Sequence, residues 1–582
     1  MSGLFATLNI GRSGMFTAQR NIDVTSHNIA NANTEGYTRQ RAKTVTNTPF
    51  GQPGTVGQIG MGAQVQAIER IRDTFLDFQV RNETTVLGQY DTRSSYLNQI
   101  ESIMSEPSDN GISTLIGKFF DSWQELSKQP QSSNNRTVVA QQTLALTDAL
   151  NHTYKRFNDL QKDAESMIKN TVVDVNSILD QVNELNKEIM TVKVSGNAPN
   201  DLMDKRDLLL DKLSQNFNIV VDKKNFEGVD VKPGDIDGMK APELVVADGN
   251  QDYARFSYIN SVEKDPSDAS GKTYIVTYSA LGNMTNSSSQ KTLKLTDVTE
   301  AQVKELKQTR VLWGSSKGIA IKGDGAPIED GETIKYSELR AFKPKSGSLK
   351  GDSSIQNDIE KYKEQLNKIA KAIAFTVNAI HSGTNNVADD KMPLFVNGKT
   401  CKYDDQKQLD LTSNKEDEIT AENITINQEI LSDVMKIRTK KNDTDGEKEN
   451  SRALAIAQLR KSLIKMQDID DKTSRSDLIK GFVETDGSNL TIKNDINGMT
   501  LDGYFKDTID RLAVQGQEAK RMVNNQVYLL DDISNSREKV SGVSLDEEMA
   551  NLVQYQHAYG ANAKIIATVD QLLDVVVNGL KR

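Results

Sequence analysis

The sequence predicts an α+β multidomain fold: N- and C-terminal helices form an elongated, coiled-coil-like helical stem, and β-rich domains are inserted between them. Three observations predict it. Apolar residues recur at heptad spacing at both ends, long helical periods fill 74–193 and 353–381, and the period falls towards two between 217 and 341. The 582 residues allow several domains, each with its own core. Hydrophobic residues make up 36% and aromatic residues 6%, against 26% charged, a lean balance that suits a helix-rich shape with much surface.

In residues 1–70 a terminal helix precedes an extended segment. Leu4, Leu8, Gly11, Met15, Ala18, Ile22, Thr25 and Ile29 follow the four-three spacing of one helical seam, and Leu8, Met15, Ile22 and Ile29 recur at sevens. The intervening seam positions are small, so a second helix can approach closely. Asn28, Asn31 and Asn33 end this helix with side chains able to bond free backbone groups, and Gly36 permits the turn that follows.

Residues 71–216 read as a helical stem domain. Thr74 to Met104 is helical, with Phe75, Phe78, Leu87, Tyr90, Leu97, Ile100 and Met104 as its buried stripe, and Glu106 to Gly111 is a turn. Leu115, Phe119, Trp123 and Leu126 mark a further helix, and Asn134 to Lys193 a long one. Residues 217–350 form a β-rich domain with strands at Ile219–Val221, Leu244–Val246, Tyr274–Tyr278 and Val311–Trp313. Residues 351–383 return to helix, with Ile355, Ile359, Leu366, Ile369, Ile373 and Ile380 on one face. Residues 384–500 are a polar, mixed insertion domain.

Residues 501–582 close the chain with a helix over Leu501–Arg537 and a terminal helix. Ser544 and Glu547 fit a capping box. The pattern Leu545, Met549, Leu552, Tyr559, Ala563, Ile566, Val569, Leu573, Val576 and Leu580 follows, and Tyr555 shares a face with Tyr559. The stretch 565–580 is apolar on more than one face, so at least two of its surfaces need partners. Spacing alone favours terminal helices that pack only onto their own core, as such helices commonly do in globular proteins.

Several functions are excluded. A net charge of -10 argues against nucleic acid as the main partner. One cysteine, Cys401, and four scattered histidines predict no disulfide, metal site or cofactor. No stretch is apolar enough for membrane insertion, and Met1 to Ile10 carries no basic n-region of a secretory signal, so the chain is expected in the cytoplasm unless a signal-less route exports it. Gly398-Lys399-Thr400 lacks the upstream glycine of a phosphate loop because Pro393 occupies that position. Asp443 to Gly446 resembles a calcium loop, but Lys441 stands at its first ligand position. Catalytic residues are therefore expected to be absent, and the chain is not expected to be an enzyme.

The segment Ser26-His27-Asn28-Ile29-Ala30-Asn31-Ala32-Asn33-Thr34-Glu35-Gly36-Tyr37-Thr38-Arg39-Gln40 resembles the signature of flagellar rod, hook and hook-associated proteins. Its ending is most similar to the hook-associated protein 1 family, as are Ser541 to Leu552 and Tyr555 to Lys564. Asp201-Leu202-Met203-Asp204-Lys205-Arg206-Asp207 resembles the helix that this family places before its first β-rich stretch. Glu35 stands where the family often has proline.

The resemblance implies a secreted, extracellular structural subunit at the hook–filament junction, exported by the flagellar type III route. It would assemble as a homo-oligomeric adaptor ring. Its terminal helices would be the assembly elements forming an inner tube, with the β-rich domains outward. Implied partners are copies of itself, the hook protein, the second junction protein and an export chaperone on the C-terminal helix. Another axial role, in hook or distal rod, and an adhesive module on 217–500 are the alternatives.

Overall fold

The computed structural model describes residues 2–49, 60–104, 111–268, 271–283, 287–442, 444–485 and 489–579. The expected turn at 106–110, Asp443 and Leu580 lie outside the described residues.

In chain order, helix α1 (Ser2–Ala30) precedes the antiparallel strands β1 (Gln40–Thr46) and β2 (Ala63–Arg70). Helices α2 (Thr74–Met104), α3 (Ile112–Lys128), α4 (Ser133–Val194) and α5 (Asn200–Ser214) follow. Next come β3 (Ile219–Lys223), β4 (Val229–Pro233), β5 (Arg255–Lys264), β6 (Tyr274–Ser279) and β7 (Gln290–Thr296). Helix α6 (Glu300–Thr309), β8 (Val311–Gly314), β9 (Thr333–Lys335) and α7 (Ser348–Ser382) complete the middle. Short elements then alternate: β10 (Phe395–Asn397), β11 (Lys402–Tyr403), β12 (Leu409–Asp410), β13 (Ile424–Ile426), α8 (Gln428–Ser432), α9 (Ser451–Gln458) and α10 (Arg475–Leu478). The pair β14 (Phe482–Thr485) and β15 (Asn489–Ile492) leads to α11 (Leu501–Ser541) and α12 (Leu545–Asn578).

The chain forms two compact units, one of Met1–Tyr90, Ile168–Gly351 and Val523–Arg582, the other of Asp91–Met167 and Asp352–Met522. In the first, a five-stranded sheet runs β8-β5-β6-β7-β9, antiparallel except for β7 with β9. Tyr274, Val276, Tyr278, Leu293 and Leu295 bury one core with Leu306 of α6. A second core joins Val175, Leu179 and Val182 of α4 to Leu210 and Leu213 of α5 and to the rings of Phe217, Phe256, Tyr258, Trp313 and Phe342. Phe217 and Trp313 meet Phe342 edge to face at 5.3 and 5.4 Å, the arrangement that ring quadrupoles favour.

In the second unit, Leu115, Phe119, Trp123 and Leu126 of α3 face Ile355, Ile359, Leu366 and Ile373 of α7 in one core. Leu394, Phe395, Ile419, Ile424 and Ile456 enter the same core, so the polar stretch 384–500 contributes its few apolar residues to a core built by helices. Among them Arg475, fully buried, donates from Nε to Glu416 at 2.8 Å and from Nη2 to Asp390 at 2.9 Å.

Three expectations are corrected, and one helix was not expected. Phe75 and Phe78 are exposed, because the first turns of α2 bury Asp77, Val80 and Arg81 against ion pairs instead. Leu244–Val246 is no strand: Val245 makes one isolated bridge to Val231, and Leu244 is apolar because it enters the core. Helix α6, unforeseen between strands, is fixed by a capping box of Thr299 with Gln302 and by left-handed Arg310 (φ 52°) at its end. Ser544 does cap α12 by accepting from the Glu547 amide, but the reciprocal half of the box is absent because the Glu547 carboxylate pairs elsewhere.

Candidate functional site

Helices α1 and α12 pack along one another, so the two ends of the chain form a single element. Leu4, Leu8, Met15, Ile22 and Ile29 are half-buried on α1, as are Leu552, Tyr555, Tyr559, Ile566, Leu573 and Val576 on α12. Half-burial is what a two-helix seam allows, since each seam residue stays open at its flank. Glycines set the approach. A Cβ on Gly11 would stand 3.2 Å from Ile566 Cγ1, and one on Gly14 would stand 2.6 Å from Asn562 Oδ1.

The opposite face is not covered. Phe5 and Phe16 of α1 are exposed, and so are Leu545, Met549, Val553, Ile565, Leu572, Val575 and Val577 of α12. On α12, Val569 is the buried apolar residue among those described. Leu545 and Met549, assigned by spacing to the seam pattern, therefore lie on this outer face.

At the end of α1 the Asn-rich motif does more than stop a helix. Asn28 is buried; its Oδ1 accepts from the Tyr37 hydroxyl at 2.8 Å and from the Gln40 amide at 3.0 Å. Its Nδ2 donates to the Gln40 carbonyl at 2.9 Å and to Glu548 Oε2 at 3.1 Å. One side chain thus closes the loop 31–40 and holds the start of α12. Arg39 completes the tie, donating to Glu548 at 2.8 Å and Glu547 at 3.0 Å, while its amide bonds the Ser541 carbonyl at 2.8 Å. Asn31 turns back to the His27 carbonyl at 3.0 Å. Asn33 and Gly36 are exposed; Gly36 takes φ +78° with Leu208 3.2 Å from where its Cβ would lie.

Helix α5 anchors this knot. Its Asp204 accepts from the Thr38 amide at 3.1 Å, and Asp201 from Gln40 Nε2 at 2.8 Å. Burial, with Asp201, Asp204 and Glu548 nearby, pushes the Tyr37 phenol up, so it stays protonated and donates to Asn28. Beneath it, Arg70 bonds Asp204 at 2.6 Å and Asp207 at 3.0 Å, and Arg72 bonds Asp77 at 2.7 Å. Asp211 joins Arg81 and Arg537 of α11, each at 2.7 Å. Burial alone would raise the Asp207 carboxyl; Arg72, Arg70 and Arg81 outweigh it and hold that carboxyl below its usual range. For Asp204 burial wins over Arg70, and its carboxyl is raised.

Arg39, Gln40, Asp204, Asp207 and Glu548 stand inside the quoted motifs, but sequence reasoning gave them no bonding role. The available signal was the concentration of arginines and aspartates in 69–73 and 201–207, charges dense enough to require one another when buried.

Among the described residues no helix is long and apolar enough to cross a membrane. Residues 97–296 match the family model "Flagellar hook-associated protein FlgK helical domain". Residues 8–38 match "Flagella basal body rod protein", and 536–579 match "Flagellar basal body rod FlgEFG protein C-terminal". The chain is similar to flagellar hook-associated protein 1 of Bacillus subtilis (strain 168), 28% identical over all of this chain and 99% of that one. It is also similar to the protein of the same name from Escherichia coli (strain K12), 24% identical over 98% and 99%. The solved flagellar hook junction protein FlgK from Burkholderia pseudomallei shares the fold with a TM-score of 0.50, at 13% identity, over 80% of this chain and 100% of that one. Along its whole length the chain is therefore similar to flagellar hook-associated protein 1 of these bacteria.

Proposed function

We propose that the chain is a structural subunit of the bacterial flagellum that joins hook to filament and assembles through its joined terminal helices. The observation that carries this reading is the division of labour on α12: one face packs on α1, while Val553, Ile565, Leu572, Val575 and Val577 on the other are exposed. Burying each such side chain is worth roughly 1.5–3 kcal/mol, so several together drive association. The occupants of that face are neighbouring copies in a ring, with the hook protein and the second junction protein above and below. Before export the same strip needs a temporary cover, which an export chaperone supplies. The role is structural, with no catalytic step. The end-to-end similarity to junction proteins favours this reading over a hook or rod subunit and over an adhesive module on 217–500.

The test replaces Val575 and Val553 by Asp together. The variant should fold with unchanged melting and be exported into the medium, yet cells should carry hooks without filaments. Filaments of normal number and length on those cells would refute the reading. Retention of the variant inside cells would instead place the strip in export.

A further inference from the structure

In the second unit, α9 and the segment 437–441 carry a cluster of cations that the junction role does not use. The side chains alternate: Ile437 and Thr439 are buried, whereas Lys436, Arg438 and Lys440 are half-buried on the outer side. This segment is rigidly held. Arg136, 5% exposed, donates Nη1 to the Ile437 carbonyl and Nη2 to Thr439 Oγ1 at 3.3 Å. Arg452 donates to the Lys440 carbonyl at 2.6 Å and the Lys441 carbonyl at 2.8 Å. Fully buried His381 accepts the Arg438 amide at 2.9 Å.

The guanidinium group of Arg136 is thus spent on carbonyls and a hydroxyl. Lys436 pairs with Glu429 at 2.7 Å, but among the described residues no ion pair engages the Arg438 or Lys440 side chain. Both line a cleft of about 340 Å³ with Arg136, Thr439 and Met435. In a chain of net charge -10, such a concentration of like charge around one concavity asks for an anion. We propose that this cleft binds an oxyanion of the phosphate or sulfate class, Arg438 and Lys440 supplying charge-assisted hydrogen bonds and Arg136 the fixed positive field behind them.

Isothermal titration of inorganic phosphate into the full chain, against sodium chloride of matched ionic strength, tests it. Saturable binding of one equivalent is expected. The double variant Arg438→Ala with Lys440→Ala should melt as the wild type does, because among the described residues neither side chain bonds another, and should bind at least about tenfold more weakly. Heat no different from that of chloride, or phosphate affinity unchanged in the double variant, would overturn the site.

Discussion

Helices α7 and α12 are 35 and 34 residues long, and both are rich in aliphatic side chains, yet the chain treats them oppositely. From Ile369 to His381 every residue of α7 is buried. On α12 only Glu548 and Val569 are buried among the described residues. A helix that is apolar all round is stable only when enclosed, so α7 is complete within one chain whereas α12 leaves an apolar face exposed, which on the proposed function others complete. On that reading identical chemistry does two jobs: in α7 burial stabilises the subunit, and in α12 exposure reserves free energy for assembly. The contrast predicts which substitutions act on the single molecule and which act on the assembly.

The largest single-molecule effect should come from the enclosed side. Arg475→Ala would strand the Glu416 and Asp390 carboxylates, both nearly fully buried, without their cation. Breaking such a group costs roughly 3–5 kcal/mol. Urea unfolding read from Trp123, with Trp313 replaced by Phe so that only the second unit reports, should show that loss. A loss below about 1 kcal/mol, the scale of an exposed pair, would mean that the core of α7 is far less closed than it looks.

Acid should separate the two helices next. Burial, with Arg438 and Arg452 beside it, pushes the His381 imidazole down to about 3; Nδ1–H donates to the Met392 carbonyl at 3.0 Å and Nε2 accepts from the Arg438 amide. The folded ring stays neutral, whereas the unfolded one protonates near 6.5. Its contribution is therefore whole above pH 6.5 and falls by about 1.4 kcal/mol per pH unit as pH drops from there towards 3. Asp352 slopes the other way, since burial raises its carboxyl to about 7 and stability is lost as pH climbs from about 4 to 7. Comparing wild type with His381→Gln at each pH isolates the histidine, and parallel profiles would remove it from the account.

Asn28 sits between these extremes, because it joins the chain ends without lying in a hydrophobic core. Asn28→Ala leaves Glu548 and the Gln40 backbone short of partners, a cost of about 1–3 kcal/mol confined to the knot. Hydrogen exchange should quicken in 28–40 and at the start of α12 while α7 is unchanged. Equal protection of 28–40 in both proteins would show that Arg39 and Asp204 suffice.

How much of this was legible follows the same division. Helices with long uninterrupted periods could be read to the residue, as with Thr74–Met104, because periodicity is local. Strand Tyr274–Ser279 was legible from β-branched and aromatic residues. What escaped depends on distant neighbours. Phe75 and Phe78 occupy helical positions suited to a core, but the partners awaiting that end of α2 are arginines and aspartates. Asn28 was visible as a helix terminator from its surroundings, whereas its bond to Glu548 spans 520 positions and has no local trace. The motif could be seen; the knot that it ties could not.

The smallest single-molecule effect is the sharpest test of the comparison. Val575 is 63% exposed, so Val575→Ala removes little buried surface from the lone subunit and should shift its stability by no more than about 0.5 kcal/mol. Ile373→Ala on α7 removes a side chain that is 1% exposed and should cost about 2–5 kcal/mol, transfer and cavity together. The ranking should invert in the assembled state: the Val575 variant should shed subunits from isolated hook–filament preparations on mild heating, and the Ile373 variant that folds should not. Were Val575→Ala to destabilise the monomer as much as Ile373→Ala does, the outer face of α12 would already be covered within one chain, and its exposed strip could not be what neighbours grip.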